Sequence, residues 1–187
     1  MILLFCGLSG AGKSTLARSV ASELKDLNIK VEIIDGDEYR AALCRDLGFS
    51  KEDRNENIRR LGFVASRFSA QGIVTIVSAI NPYDDIRQEL AEKYDHVNII
   101  HVDCPVNKLI ERDTKGLYKR ALLPDGHPDK LTNLTGINDR FDVPVNPDLY
   151  IDTCNNTIQQ STSSLLYYII NNLQPVKKQA KKIPSYS

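Results

Sequence analysis

The chain has 187 residues, a length that suits one domain with a well-buried core and leaves little room for a second. Hydrophobic residues make up 42% and charged residues 26% of the sequence, and 24 basic residues balance 24 acidic ones. These values are ordinary for a globular protein and give no sign of a strongly basic surface for long nucleic acid.

Short apolar runs alternate with amphipathic stretches along most of the chain. In chain order, the pattern predicts a strand at 2–6, a helix at 14–27, a strand at 31–34, a helix at 51–71, a strand at 73–79, a helix at 84–94, a strand at 97–102, a strand at 149–151 and a helix at 156–173. This alternation is typical of a doubly wound α/β fold with a mainly parallel central sheet.

Two segments depart from this alternation. Residues 112–147 hold several prolines and glycines among many charges, and the segment is too long for a plain connection, so we predict an irregular lid. Residues 175–187 carry four lysines and are predicted to be a solvated tail beyond a domain that spans 1–174. No run approaches the ~20 apolar residues that a membrane span needs, so no membrane partner is expected.

The four cysteines, Cys6, Cys44, Cys104 and Cys154, form no C-x-x-C pair and have no zinc-type spacing. We therefore expect reduced thiols, two of them in apolar runs. Because no secretory signal is visible either, the expected location is the cytoplasm.

The segment GLSGAGKS at 7–14 matches G-x-x-x-x-G-K-[ST] in full, and it follows a predicted strand and opens a predicted helix. In such a loop the backbone N–H groups surround phosphates. Lys13 is expected to reach the β- and γ-phosphates of ATP, and Ser14 to bind Mg²⁺. The loop alone does not separate kinases from GTPases or other ATPases. Without a guanine signature of the N-K-x-D type, a small-molecule kinase is favoured.

An acidic turn follows the second predicted strand, at the sheet edge where the phosphate loop also lies. Asp37 could orient an acceptor hydroxyl or take its proton, and Asp35 could help to hold Mg²⁺. Helix capping by Asp37 is the structural alternative. Arg54 and Asn57 are three residues apart on a predicted helix, and together they suit an anionic ligand with a polar edge.

Taken together, the motifs resemble those of the adenylylsulfate kinase family, over about residues 5–153. The segments that carry the resemblance are GLSGAGKST at 7–15, IDGDEYR at 34–40, LGFSKEDRNENIRR at 47–60, SAINPY at 78–83, VDCP at 102–105, RDTKGLYKRA at 112–121 and LTGINDRFDVPVNPDL at 134–149.

The resemblance implies a P-loop NTPase-type three-layer fold with a lid, and often a homodimer. It implies transfer of the γ-phosphoryl group of Mg-ATP to the 3′-hydroxyl of adenylylsulfate (APS), giving ADP and the 3′-phosphorylated product PAPS in sulfate assimilation. The catalytic residues would be Lys13, Asp37 and Lys115. ATP would be held by Gly7, Ser9, Gly10, Ala11, Gly12, Lys13, Ser14 and Thr15, with Arg112 near its base. APS would be held by Asp37, Arg40, Phe49, Arg54, Asn57, Ile80, Asn81, Lys115 and Leu134, and Phe49 would stack on its adenine.

Three departures from the family pattern keep other acceptors open. Asn81 stands where members commonly have a serine regarded as a phosphoserine site, so direct transfer is implied. Leu134 replaces a usual phenylalanine that pairs with Phe49, and residues 122–131 lengthen the lid. One alternative is a related kinase that phosphorylates another small nucleotide, such as cytidine diphosphoramidate, or a sugar. The other is a nucleotide-binding module without catalysis.

Overall fold

A computed structural model describes residues 1–173, so the predicted tail at 175–187 lies outside the described residues. Five strands and seven helices are found there. The strands are β1 (Ile2–Cys6), β2 (Val31–Asp35), β3 (Val74–Ser78), β4 (Val97–Asp103) and β5 (Leu149–Asp152). The helices are α1 (Lys13–Asp26), α2 (Gly36–Leu43), α3 (Lys51–Ser69), α4 (Asp84–Lys93), α5 (Val106–Arg112), α6 (Leu117–Ala121) and α7 (Ile158–Asn172).

All strands pair in parallel in the order β2-β3-β1-β4-β5, which confirms the predicted α/β fold with a parallel sheet. The register aligns the ends of neighbouring strands, since Ser78 pairs with both Asp35 and Phe5. The carboxyl ends of the three strands therefore meet at one edge. This edge carries the 7–14 loop, the acidic turn and the segment after β3, as ligand sites in such sheets require.

The core forms two layers, one on each face of the sheet. In β1, Leu3 and Phe5 pack towards α1 and α7, while Ile2 and Leu4 pack towards α3 and α4. This alternation follows from the two-residue period of a strand whose two faces are both covered. The result is a helix–sheet–helix sandwich that holds the edge of the sheet rigidly.

Three short helices, α2, α5 and α6, were not predicted, because segments this short show little periodicity. Helix α2 begins where the Asp35 side chain accepts a hydrogen bond from the Asp37 N–H, at 3.0 Å. Helix α3 begins with a capping box formed by Ser50 and Asp53. Among the described residues, no helix is both long and apolar enough to cross a membrane.

The segment predicted to be a lid contains α6 and otherwise consists mainly of turns and bends. Its apolar side chains form a third cluster with the phosphate loop and α5, in which Tyr118, Leu134 and Ala11 are buried. The Tyr118 hydroxyl donates a hydrogen bond of 2.8 Å to the carbonyl of Ser9. This segment therefore packs directly against the phosphate loop.

Candidate functional site

The 7–14 loop has the tight backbone that its sequence predicts. A Cβ atom on Gly7 would lie 2.1 Å from the carbonyl oxygen of Val102, so only glycine fits there. Gly12 has a φ of 91° directly before α1, a left-handed conformation that favours glycine. Thr15 is exposed in the first turn of α1. The loop thus curls around the N-terminus of a long helix, where N–H groups favour an anion.

Lys13 is buried within this loop, with 8% of its surface exposed. Its Nζ donates hydrogen bonds to the carbonyls of Gly7 (2.8 Å) and Leu8 (2.7 Å). Burial lowers the pKa of Lys13 from 10.5 to about 8, and the positive charge of Lys115 adds to this, against the opposing effect of the nearby aspartates. A bound polyphosphate would favour the charged ammonium again.

Ser14 and Asp35, the two residues predicted to serve Mg²⁺, are in direct contact. The Ser14 hydroxyl donates to Asp35 Oδ2 at 2.9 Å, while Asp35 Oδ1 caps α2. The capping role considered for Asp37 therefore belongs to Asp35. A hydroxyl and a carboxylate oxygen at this spacing are hard ligands of the kind that Mg²⁺ takes beside nucleotide phosphates, so these residues fit the metal.

A cavity opens next to the acidic turn and brings together most of the residues predicted to bind the acceptor. Its lining consists of Gly36, Asp37, Arg40, Phe49, Arg54, Asn57, Ile58, Ala79, Ile80, Asn81 and Pro82. These residues come from α2, the α2–α3 connection, α3 and the segment after β3. The site is thus assembled from separate stretches of the chain at one edge of the sheet.

Phe49 stands at this cavity with 57% of its surface exposed, which is unusual for a large aromatic side chain. The guanidinium carbons of Arg40 and Arg54 lie 4.5 and 5.6 Å from the centre of its ring. Arg54 also donates to the carbonyl of Asn133 at 2.6 Å and pairs with Asp139 at 3.1 Å. Arg54 therefore links the cavity to the lid segment.

Two amide side chains in the cavity lining have buried atoms without a hydrogen-bond partner in the protein. They are Asn57, through Oδ1, and Asn81, through both Oδ1 and Nδ2. Asn81 is 1% exposed and has a φ of 48°, an uncommon backbone conformation for a residue other than glycine. A buried amide without a hydrogen bond lowers the stability of a protein. Such groups are expected where a polar ligand forms the missing hydrogen bonds.

The lid contributes two cations on the side of the phosphate loop. Lys115 Nζ lies 2.7 Å from Asp37 Oδ2, although both side chains are largely exposed. Arg112, at the end of α5, lies with Lys115 around a small second cavity beside Ser9 and Gly10. The predicted catalytic residues thus occupy one continuous region, and Arg112 lies close to the loop.

Of the residues predicted to bind the acceptor, Lys115 and Leu134 do not line the acceptor cavity, and Leu134 lies apart from it in the core. It is 4% exposed and packs in the third core cluster with Tyr118 and Ala11, and it does not line the acceptor cavity. Sequence reasoning also missed Tyr118 and Thr153, whose hydroxyls donate to the Ser9 and Ala11 carbonyls of the loop. The sequence does not reveal these contacts, because each of them spans more than a hundred residues.

Comparisons with known proteins agree with this geometry. The family model described as adenylylsulphate kinase matches residues 1–152. The adenylyl-sulfate kinase of Picosynechococcus is 41% identical over 162 residues, covering 87% of this chain and 89% of that protein. A probable bifunctional SAT/APS kinase 2 of Sorangium cellulosum is 42% identical over 165 residues, which cover 88% of this chain but 28% of that longer protein.

A solved structure of the Mycobacterium tuberculosis APS kinase CysC, in complex with AMPPNP and APS, is also similar. It has a TM-score of 0.82 and 34% identity, and the match covers 90% of this chain and 96% of that one. The family match spans most of the chain, and the same motifs build the phosphate loop and the acceptor cavity, so the chain belongs to the adenylylsulfate kinase family.

Proposed function

We propose that this protein is an APS kinase, which transfers the γ-phosphoryl group of ATP to the 3′-hydroxyl of APS and releases ADP and PAPS. The observation that carries the proposal is the position of Asp37, which lines the acceptor cavity and contacts Lys115 beside the phosphate loop. Donor and acceptor sites therefore meet at one carboxylate. Family membership, with relatives named adenylyl-sulfate kinases, supports the same acceptor.

Phosphoryl transfer depends mainly on alignment and on neutralising charge. Lys13 and the N–H groups of the loop bind the ATP phosphates, and Lys115 moves from Asp37 to the γ-phosphoryl group when the lid closes. Asp37 is then free to accept a hydrogen bond from the 3′-hydroxyl of APS and to orient it for attack. The closed lid excludes water, which would otherwise take the phosphoryl group.

On the acceptor side, Phe49 stacks on the adenine of APS through its exposed ring. Asn57 and Asn81 gain hydrogen bonds from the nucleotide that the protein alone does not give them. Arg40 and Arg54, whose guanidinium groups lie over Phe49, supply positive charge for the phosphosulfate. Because Asn81 replaces the serine common in the family, the phosphoryl group passes directly to the acceptor.

Mg²⁺ would be held by Ser14, with Asp35 beside it, which their contact of 2.9 Å supports. A metal ion held there would supply positive charge against the negative charge of the ATP phosphates. Ser14 would supply an oxygen to this site, and Asp35 accepts a hydrogen bond from the Ser14 hydroxyl and so orients that oxygen.

We also propose a homodimer, which the family resemblance supports, and a location in the cytoplasm, which the four free cysteines support. The kinase domain would span residues 1–174, with 112–147 as its lid. No long nucleic acid and no membrane is proposed as a partner.

An acceptor panel tests this proposal. ADP release is followed in a coupled assay with APS, with cytidine nucleotides including cytidine diphosphoramidate, and with sugars, each at the same concentration. We expect APS to raise ADP release at least a hundredfold over the rate without acceptor. Faster turnover with a cytidine nucleotide or a sugar would favour the related-kinase alternative. ATP binding without ADP release for any acceptor would favour a module without catalysis.

A further inference from the structure

Ser78, the last residue of β3, is a buried polar residue that the mechanism above does not use. It is 4% exposed, and it is paired in the sheet with Asp35 of the neighbouring strand. Its Oγ lies 3.2 Å from the Oγ of Ser14, the phosphate-loop serine. Ser14 Oγ in turn lies 2.9 Å from Asp35 Oδ2. Three oxygen atoms from three segments thus meet under the phosphate loop.

The direction of these hydrogen bonds follows from the chemistry of the groups. A serine hydroxyl has one proton to donate and two lone pairs that accept, whereas an ionised carboxylate only accepts. Ser14 therefore donates its hydrogen bond to Asp35. The contact between Ser14 and Ser78 is then formed with Ser78 as the donor. One lone pair of Ser14 is occupied by Ser78, and the other remains for a cation.

We propose that Ser78 is a positioning residue for the magnesium site. By donating to Ser14 Oγ, it fixes the rotation of the Ser14 hydroxyl together with Asp35, so that the remaining lone pair is held towards the bound nucleotide. Without Ser78, the Ser14 hydroxyl is held by its hydrogen bond to Asp35 alone, so its oxygen is positioned less tightly. This inference rests on the proposed function, because it assigns Ser78 to the metal of that site.

The position of Ser78 in the fold supports this role. Ser78 is in register with Asp35 of β2 on one side and with Phe5 of β1 on the other. Strand β1 leads directly into the phosphate loop. Ser78 therefore lies next to both residues proposed to serve Mg²⁺, Ser14 and Asp35. Strand pairing fixes the backbone at Ser78 and Asp35, and helix α1 fixes it at Ser14, so the contribution of Ser78 is its hydrogen bond to the Ser14 oxygen.

The test measures binding and does not use the acceptor. AMPPNP affinity is determined by calorimetry with saturating Mg²⁺ and again in EDTA, for the unmodified protein and Ser78→Ala. The affinity of Mn²⁺ for the protein–AMPPNP complex is measured by electron paramagnetic resonance. Ser161→Ala is the matched control, because Ser161 is also buried but lies on α7. Ser78→Cys leaves no cavity and has only a weak donor, so it serves as a second variant in case the alanine variant is unstable.

We expect Ser78→Ala and Ser78→Cys to weaken Mn²⁺ binding, and AMPPNP binding with Mg²⁺, by about tenfold, the effect of one lost hydrogen bond. AMPPNP binding in EDTA should stay within twofold, and Ser161→Ala should match the unmodified protein. Equal losses with and without metal, or no loss at all, would overturn the role of Ser78. If the unmodified protein bound no AMPPNP, the proposed function itself would fail.

Discussion

Lys115 and Asp37, 78 residues apart in the sequence, form a salt bridge of 2.7 Å between the lid segment and the acidic turn. Both side chains are largely exposed, so the pair contributes at most about 1 kcal/mol to stability. Its importance is positional, because it places a lid cation against the carboxylate proposed to orient the acceptor. Nucleotide binding would give Lys115 a stronger partner in the phosphates.

Lys115→Ala should therefore act on turnover far more than on folding. We expect kcat to fall about 10²–10³-fold, because a charge that stabilises the transferring group is lost. The free energy of unfolding should change by less than about 1 kcal/mol. Steady-state kinetics and urea unfolding measure the two effects. Lys119→Ala is the control, since Lys119 is exposed on α6 of the same lid. A similar loss in both variants would point to general charge rather than to Lys115.

Asp37→Asn keeps the size of the side chain and removes its charge. We expect kcat to fall about 10²–10⁴-fold, because the acceptor hydroxyl loses its negatively charged partner. AMPPNP affinity should stay within about threefold, since the phosphates are bound by the loop and the lysines. Glu38→Gln, at the exposed neighbouring position of α2, serves as the control. Parallel losses of turnover and nucleotide affinity in Asp37→Asn would indicate a structural role.

The lowered pKa of Lys13 predicts that nucleotide binding depends on pH. Its pKa is about 8 without nucleotide, because of burial, and bound phosphates favour the charged form and raise it. AMPPNP should therefore bind with proton uptake at and above pH 8, and its affinity should fall as the pH rises from 8 to 9.5. Calorimetry in buffers of different ionisation enthalpy measures the uptake. Lys13→Arg, which stays charged, should show none; the same uptake in that variant would exclude Lys13 as its source.

Arg87 joins the acceptor cavity to the end of the lid from a fully buried position. It donates to the carbonyls of Asn81 (2.8 Å) and Asp142 (2.5 Å). Arg87→Met would leave both carbonyls unpaired, so we expect the free energy of unfolding to fall by about 2–4 kcal/mol. Urea unfolding measures this change. Arg67→Met, at an exposed position of α3, should have little effect, and an equally small effect at Arg87 would contradict its role.

The sequence was sufficient for the fold because the strands are short apolar runs, with β1 and β3 buried along their whole length, and the longer helices have clear amphipathic periods. Helix α2 was missed since its start depends on the Asp35 side chain, not on a repeating pattern. The placement of Asp37, Arg40 and Asn81 around one cavity agrees with the motif-based prediction. The individual roles of these residues stay predictions until variants are measured.

Other features of the site could not be read from the sequence, because they arise from long-range packing. Leu134 was expected beside the acceptor base, yet its side chain is used in the core that joins the lid to the phosphate loop. Ser78 lies in a short motif whose spacing does not reveal its neighbours; the register of β2 and β3 brings it to Asp35. The contact between Lys115 and Asp37 likewise depends on how the lid packs against the phosphate loop, which the sequence does not show.

The most direct measurement identifies the product made from APS. The protein is incubated with Mg²⁺, APS and ATP carrying ³²P in the γ-position, and the products are separated and analysed by tandem mass spectrometry. We predict one labelled PAPS for each ADP released, with the new phosphate on the ribose 3′-oxygen, and no labelled PAPS with Lys13→Ala. Release of ADP with the label in inorganic phosphate, and no labelled PAPS from the unmodified protein, would contradict the proposed function.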